Sequence, residues 1–451
     1  MKSFDFSNMR GGWFVGDFYP CSHQWNGGEI AVKHFPKGHI EYSYKHDNAI
    51  KVYAVIKGKL LFNKKIVNSG ELVLIDKGED IPIVAQENSV VMLSVIGDKK
   101  FTRYNIQSLE DELSVFDSVF PHSFYNGNIC FKDISVVIQG AVEERITPIC
   151  IESIRHFFPG AKVILSTWKG SSVENLKCDE VVFSEDPGGR QYRIKAYNKT
   201  FTNNVNRQLV SIQNGLKMVK TQYALKIRTD MIMTSNELLN HFGEYTYNSG
   251  EYSMFKEKIL VADFYTRHSL RCEGGFVPTP FHVSDWFFFG LTEDVRQYFD
   301  GTRLMTNDEQ VYFKAVKCPE KREKYDYCWY WSFPPEQFYG VQAAQRNFKD
   351  IRMADWSDWD DELIRKSEKF IMNNFVVLDF TRHGINLPKY EMNITSNCGN
   401  RRYYEKGLYS FDIYYKILES MKSGKGIPSI WDERMDDDSD FWMFRKEEKN
   451  D

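Results

Sequence analysis

The 451-residue sequence predicts two folded parts of different class: an all-β barrel, then an α/β domain with a mostly parallel sheet. Three observations predict this. Residues 12–104 are a series of short runs rich in β-branched and aromatic residues. From residue 133 continuous apolar runs alternate with segments of helical period. The chain is also longer than the ~250–300 residues at which a single core stops growing.

The barrel strands read "EIAVKHF", "IEYSY", "KVYAVI", "KLLF", "ELVLI", "IPIVA" and "VVMLSVI", separated by "PKGH", "KGK", "NSG" and "DKGED". Many short strands with Gly and Asn punctuation make a sandwich or barrel, here residues 1–104. Residues 105–132 read as a linker with one short helix, residues 133–432 as the α/β domain, and residues 433–451 as a solvated acidic tail.

In the second part "ISVVIQG" is apolar throughout, as a buried parallel strand is. "TPICIESIRHFFPG" follows as a helix, with Thr147 as N-cap, Pro148 as first helical residue and Pro159-Gly160 as stop. "AKVILST" and "DEVVFS" are two further strands. "NVNRQLVSIQNGLKMVK" places Val205, Leu209, Ile212, Leu216 and Val219 on one helical face, with Asn204 as cap. "YALKIRTD" is the next strand. In such sheets ligands gather at the carboxyl ends of strands, where Gln139, Asp186 and Asp230 fall.

Composition narrows the function. A net charge of −4 with no basic block argues against nucleic-acid binding. The eight cysteines form no C-x-x-C pair, so a zinc ribbon is not expected and reduced thiols in a cytosolic protein are. The start has no apolar h-region, and no window approaches ~18 apolar residues. The expected location is the cytoplasm, with peripheral association at the inner face of the membrane.

The candidate chemistry centres on Asp230. It reads either as a turn aspartate or as a carboxylate holding Mg²⁺ or Mn²⁺ against a nucleotide diphosphate. Arg228 stands where a D-x-D pair would have its first acid, and a guanidinium can bind phosphate directly in place of metal. Arg207, in a first helical turn, opposes the helix dipole and hints at an anionic partner; Gln208 is its neighbour. Asp186, in the turn-rich "SEDPGGRQY", is a candidate wall of the donor pocket.

Asp285 lies beside Trp286 in "PFHVSDWFFFG", where burial would disfavour its charge and suit a general base. Glu309, in a helix capped by Asn307 or Asp308, is a second such acid or only a dipole-matching residue. "WYWSFPPEQF" reads as core aromatics or as a stacking surface for a sugar. In the barrel, His39 and His46 invite a metal reading, but no fourth ligand is evident.

From "ISVVIQG" through "SEDPGG", "NNVNRQLVSIQNGLKMVKTQYALKIRTD", "FHVSDWFFFG" and "NDEQ", roughly residues 133–400, the chain resembles the WavE lipopolysaccharide-synthesis family. That resemblance implies a glycosyltransferase of GT-A fold acting in bacterial surface-polysaccharide assembly. It implies site roles for Arg207, Gln208, Arg228, Asp230, Asp285 and Glu309. Residues 12–104 resemble a cupin module, with Tyr44 where a first His is expected and Lys51 where the Glu is, which implies a binding or scaffold role.

Together these readings give transfer of a sugar from a nucleotide-diphosphate donor to a hydroxyl of a capsule or lipopolysaccharide acceptor. Gln139 and Gly140 would let the nucleotide approach the first strand end. A sugar nucleotidyltransferase and a non-catalytic sugar-binding protein are the alternatives.

Overall fold

The computed structural model describes residues 13–15, 28–35, 37–38, 40–41, 49–79, 81, 83–97, 127, 129–144, 146–194, 199–233, 235–272, 275–311, 331–386 and 407–427. His39, Tyr44 and His46, most of the expected linker and the acidic tail lie outside these residues. The chain divides into two compact units, one of residues 1–123 with 386–405 and 436–451, the other of residues 124–385 with 406–435.

The first unit is all β. Its strands are β1 (Trp13–Val15), β2 (Gly28–Phe35), β3 (Ile40–Glu41), β4 (Ala49–Lys57), β5 (Lys59–Phe62), β6 (Lys65–Asn68), β7 (Leu72–Ile75), β8 (Ile83–Ala85) and β9 (Ser89–Gly97). They form two antiparallel sheets, ordered β1-β2-β9-β4-β7 and β3-β8-β5-β6. Alternation along β4 decides which face is core: Ala49, Tyr53 and Val55 are buried, while Ile50, Val52 and Ala54 are half-buried. Phe35, Leu60, Phe62, Ile83 and Leu93 complete that core. Each such side chain contributes roughly 1.5–3 kcal/mol by leaving water. Lys51 shares the inward face of β4 and is 1% exposed.

The second unit is an α/β domain. Its main strands are β10 (Ile134–Gln139), β11 (Lys162–Trp168), β12 (Glu180–Ser184), β15 (Tyr223–Arg228), β17 (Ile259–Ala262), β20 (Phe288–Leu291) and β21 (Phe375–Leu378). They form one sheet in the order β12-β11-β10-β15-β20-β17-β21. All run parallel except β20, which is antiparallel to both neighbours. Three small ribbons complete the strands: β13 (Arg190–Ile194) with β14 (Lys199–Asn203), β16 (Ile232–Met233) with β22 (Ile385–Asn386), and β18 (Arg267–Cys272) with β19 (Gly275–His282).

The helices are α1 (Ile146–Phe157), α2 (Val205–Lys217), α3 (Thr292–Phe299), α4 (Pro335–Asn347), α5 (Asp361–Asn374) and α6 (Phe411–Lys422). The stripe Val205, Leu209, Ile212, Leu216 and Val219 is at most 2% exposed, as its spacing requires. It packs on β10 and β11 through Gly215, where a Cβ would lie 2.5 Å from Val137 Cγ1.

At three helix starts the capping bonds differ from the sequence reading. α1 begins at Ile146, so Thr147 is already helical. Its hydroxyl accepts the Glu143 N–H at 2.8 Å and donates to the Thr229 carbonyl at 3.1 Å, tying the helix to the end of β15. Asn204 makes no side-chain cap; the Val205 N–H is taken by Asn203 Oδ1 at 3.0 Å. The helical turn Asn307–Gln310 is capped by Thr306, not by Asn307 or Asp308.

Candidate active site at the strand carboxyl ends

β10 is flanked by β11 on one side and β15 on the other, so the strand order reverses between β10 and β15. An open α/β sheet has its crevice at such a switch point, outside the strand carboxyl ends. Gln139 and Arg228 are register partners there. Gln139 is 3% exposed and its Oε1 accepts the Ser211 hydroxyl at 2.7 Å, which ties the strand end to α2. Gly140 turns the chain at φ +126, and a Cβ there would stand 3.0 Å from Thr229 Oγ1.

Just past β15, Arg228 and Asp230 form a bidentate pair, Nε to Oδ1 at 2.9 Å and Nη2 to Oδ2 at 2.8 Å. Asp230 is 2% exposed. Such a fork fixes both groups in one plane. Each carboxylate oxygen accepts one bond from Arg228. Among the described residues no group of three or more His, Cys, Asp or Glu is arranged to hold a metal.

On the α2 side of the crevice, Arg207 pairs with Asp186, Nε to Oδ1 at 2.8 Å and Nη2 to Oδ2 at 2.7 Å. These bonds hold the Asp186 carboxyl below the usual carboxylate range. Arg207 thus already has one anionic partner within the protein, Asp186. Gln208 turns toward α4, its Oε1 lying 3.2 Å from the Tyr339 hydroxyl.

Further charges are buried between β15, β20 and α4. Lys226 has no exposed surface; its Nζ donates to the Asp285 main-chain carbonyl and lies 5.7 Å from the Phe288 ring centre. Burial pulls the Lys226 ammonium down to about 8, against the opposing pull of Asp285. Glu336, in the first turn of α4, is half-buried. Burial, reinforced by the Asp285 charge, pushes its carboxyl up to about 8. Arg267 and Arg228 oppose that rise. Asp285 is 4% exposed, and its side-chain carboxylate accepts no hydrogen bond among the described residues.

The segment bearing Asp285 is locked to α4. Phe281 sits at φ +59, a strained conformation for a bulky residue. Gln337 Nε2 donates to the Pro280 carbonyl at 2.9 Å, and the Phe281 N–H donates to Ser367 Oγ at 2.6 Å. At Gly340 a Cβ would fall 1.9 Å from the Phe281 carbonyl oxygen, so only glycine admits this approach.

The family model described as WavE lipopolysaccharide synthesis matches residues 134–416, well over half the chain. The chain belongs to the WavE lipopolysaccharide synthesis family. The match takes in every residue of the crevice just described.

Comparison with curated proteins finds no match. Solved structures similar to this WavE family member include a double-stranded β-helix protein from Klebsiella pneumoniae, 16% identical over 17% of this chain and 67% of that one, with a TM-score of 0.16. An RmlC-like cupin from Shewanella frigidimarina is 15% identical over 17% of this chain and 70% of its own, also with a TM-score of 0.16.

Gln139, Gly140, Arg228 and Asp230 thus lie together at the switch point of this WavE chain, with Arg207 and Asp186 paired at the start of α2; Asp285 is tied to β15 only through its main-chain carbonyl, which accepts from Lys226. Glu309 is placed otherwise. It forms a capping box with Thr306, Thr306 N to Oε2 at 2.7 Å, and takes Arg303 on both oxygens at 2.7 and 2.5 Å. Burial would raise its carboxyl, but the Arg303 and Thr306 bonds prevail and hold it below its ordinary value. The spacing Thr306-x-x-Glu309 carries that capping signature in the sequence. Lys226 is one of the two cations that precede Asp230 in the strand, and its burial was not read from the sequence; Glu336 was not singled out. A lysine inside the apolar run "YALKIR" is a signal in itself; Glu336 is masked, because a Glu behind prolines at a helix start matches the dipole anyway.

Proposed function

We propose that this protein is a glycosyltransferase of GT-A-like architecture. It moves a sugar from a nucleoside-diphosphate donor to a hydroxyl of a bacterial capsule or lipopolysaccharide acceptor. The observation that carries this reading is the Arg228–Asp230 fork at the switch point, in register with Gln139. Membership of a lipopolysaccharide-synthesis family supports it.

In this reading Gln139 and Gly140 border the nucleotide, and Arg228 and Arg207 neutralise the diphosphate. The bond from the acceptor oxygen to the sugar's anomeric carbon forms as the bond from that carbon to the diphosphate oxygen breaks. The electron pair leaves on the diphosphate, where fixed guanidinium donors stabilise the developing charge. Asp285 takes the acceptor proton in an inverting transfer. Asp230 holds Arg228 in place, and each of its oxygens keeps a lone pair with which it could also meet Mn²⁺ or Mg²⁺. The β unit serves as a binding or scaffold module, with buried Lys51 in its interior. No helix among the described residues is long and apolar enough to cross a membrane; we place the enzyme in the cytoplasm, at the inner face of the membrane.

The test is a panel of nucleotide sugars, with and without Mn²⁺. Wild type is expected to release nucleoside diphosphate slowly, and Asp230→Ala to release none. Release of pyrophosphate would make it a nucleotidyltransferase, and no release from any donor would leave a binding protein.

A further inference from the structure

Main-chain pairing does not reach the segment that carries Asp285. The ladder between β15 and β20 ends at the Lys226–Phe288 pair, three residues short of Asp285. Other bonds to the segment come from elsewhere: the Ser284 N–H donates to Thr266 Oγ1 at 3.0 Å, the Phe281 N–H to Ser367 Oγ at 2.6 Å, and Gln337 Nε2 to the Pro280 carbonyl at 2.9 Å. Lys226 supplies the tie to β15. It is wholly buried, and the one hydrogen bond its ammonium makes among the described residues goes to the Asp285 main-chain carbonyl. Lys226 and Arg228 lie two residues apart on one face of β15, about 7 Å along the strand. One side chain thus joins the Asp285 segment to the strand that ends in the Arg228–Asp230 fork. Packing alone does not call for a lysine there. Burying an ammonium costs more than one hydrogen bond to a neutral carbonyl returns, and Leu or Met would fill the space.

We propose that Lys226 is a positioning residue for the sugar transfer: its ammonium holds the Asp285 main chain against β15, so that Asp285 meets the acceptor hydroxyl while Arg228 holds the diphosphate. This rests on the glycosyltransferase reading above, in which Asp285 is the base. Lys226 grips the main chain and not the carboxylate, so the carboxylate keeps its capacity to accept the hydroxyl proton. The Phe288 ring, 5.7 Å from the ammonium, backs it from β20. Burial works against the charge of Lys226; Asp285 favours it, Arg228 opposes it and Asp230 favours it, so the charges of the proposed site reach this side chain. A base must be held close to its geometry to act, and a shift of about 1 Å can cost a hundredfold in rate.

The experiment uses the full-length protein and the nucleotide-sugar panel, with nucleoside-diphosphate release as the rate. Lys226→Met keeps the length of the side chain and removes its charge and its donors. Replacing a buried ion by an apolar side chain of like volume is often neutral for stability, so this variant should fold. Should it not, Lys226→Gln makes the same comparisons. Lys226→Met is expected to lose about tenfold or more in kcat, with the donor KM within about twofold of wild type. The double variant of Lys226→Met with Asp285→Asn should lose no more than Asp285→Asn alone, because Lys226 acts through Asp285. Losses that multiply in the double variant would overturn the proposal, as would an unchanged kcat in Lys226→Met. A loss confined to donor KM would make Lys226 a donor-binding residue and overturn it too. Hydrogen exchange gives a readout that needs no turnover: amides of residues 283–287 should exchange faster in Lys226→Met than in wild type, and equal exchange contradicts the proposal. Wild type that releases no nucleoside diphosphate from any donor defeats the glycosyltransferase reading itself, and this proposal falls with it.

Discussion

Arg228 and Asp230 are joined by two parallel N–H···O bonds across the turn that ends β15, with Asp230 almost wholly buried. Removing one partner leaves the other charge uncompensated. Arg228→Met is expected to destabilise the fold by about 3 kcal/mol. The double variant with Asp230→Asn should recover part of that loss, because its members are coupled. Urea denaturation measures both. Neither variant should recover nucleoside-diphosphate release, which separates the structural role of the pair from its chemical one.

Glu309 holds a helix start rather than the reacting atoms. Glu309→Ala is expected to cost about 1 kcal/mol through the lost capping box. Its effect on donor turnover should stay below that of Asp285→Asn, for which loss of a general base implies about a hundredfold or more. Parallel denaturation and steady-state assays of the two variants check this ordering.

The Glu336 carboxyl, raised from 4.5 to about 8 by burial and by Asp285, favours the folded state while it is protonated. Its contribution is complete below its ordinary value and is lost as pH rises through about 8. Wild type should therefore lose stability relative to Glu336→Gln across that window. Lys226, lowered from 10.5 to about 8 by burial, has the opposite sign: its contribution is present above 10.5 and lost as pH falls through about 8. Denaturation midpoints of wild type and Glu336→Gln between pH 4.5 and 8 test the first statement.

Gly340→Ala would drive a methyl into the Phe281 carbonyl, 1.9 Å away. A cost of about 3 kcal/mol is expected from overpacking, with reduced donor turnover because the Asp285 segment shifts. Thermal unfolding together with the turnover assay reads both.

The sequence carried what local pattern can carry. The apolar run "ISVVIQG" and the stripe from Val205 to Val219 identify a buried parallel strand and its covering helix, and each is buried as its pattern requires. The positions of Gln139 and Asp230 follow, because a strand's end is visible where its apolar run stops. The reversed direction of β20 was not legible, since its partners β15 and β17 are fixed by pairing across distant segments. The packing of α4 on the segment before Asp285 was hidden for the same reason: it depends on Gly340 closing against the Phe281 carbonyl. Local signals misled at Thr147, whose hydroxyl bonds the distant Thr229 carbonyl, and at Asn204, whose Oδ1 accepts from Arg207 in the first turn of the same helix.

The most direct test of the switch-point assignment is calorimetric titration of wild type and Arg228→Met with nucleoside diphosphates. The account expects saturable binding by wild type, weakened at least about tenfold in Arg228→Met, as loss of a charge-assisted fork implies. Equal affinity in a folded Arg228→Met protein would contradict it.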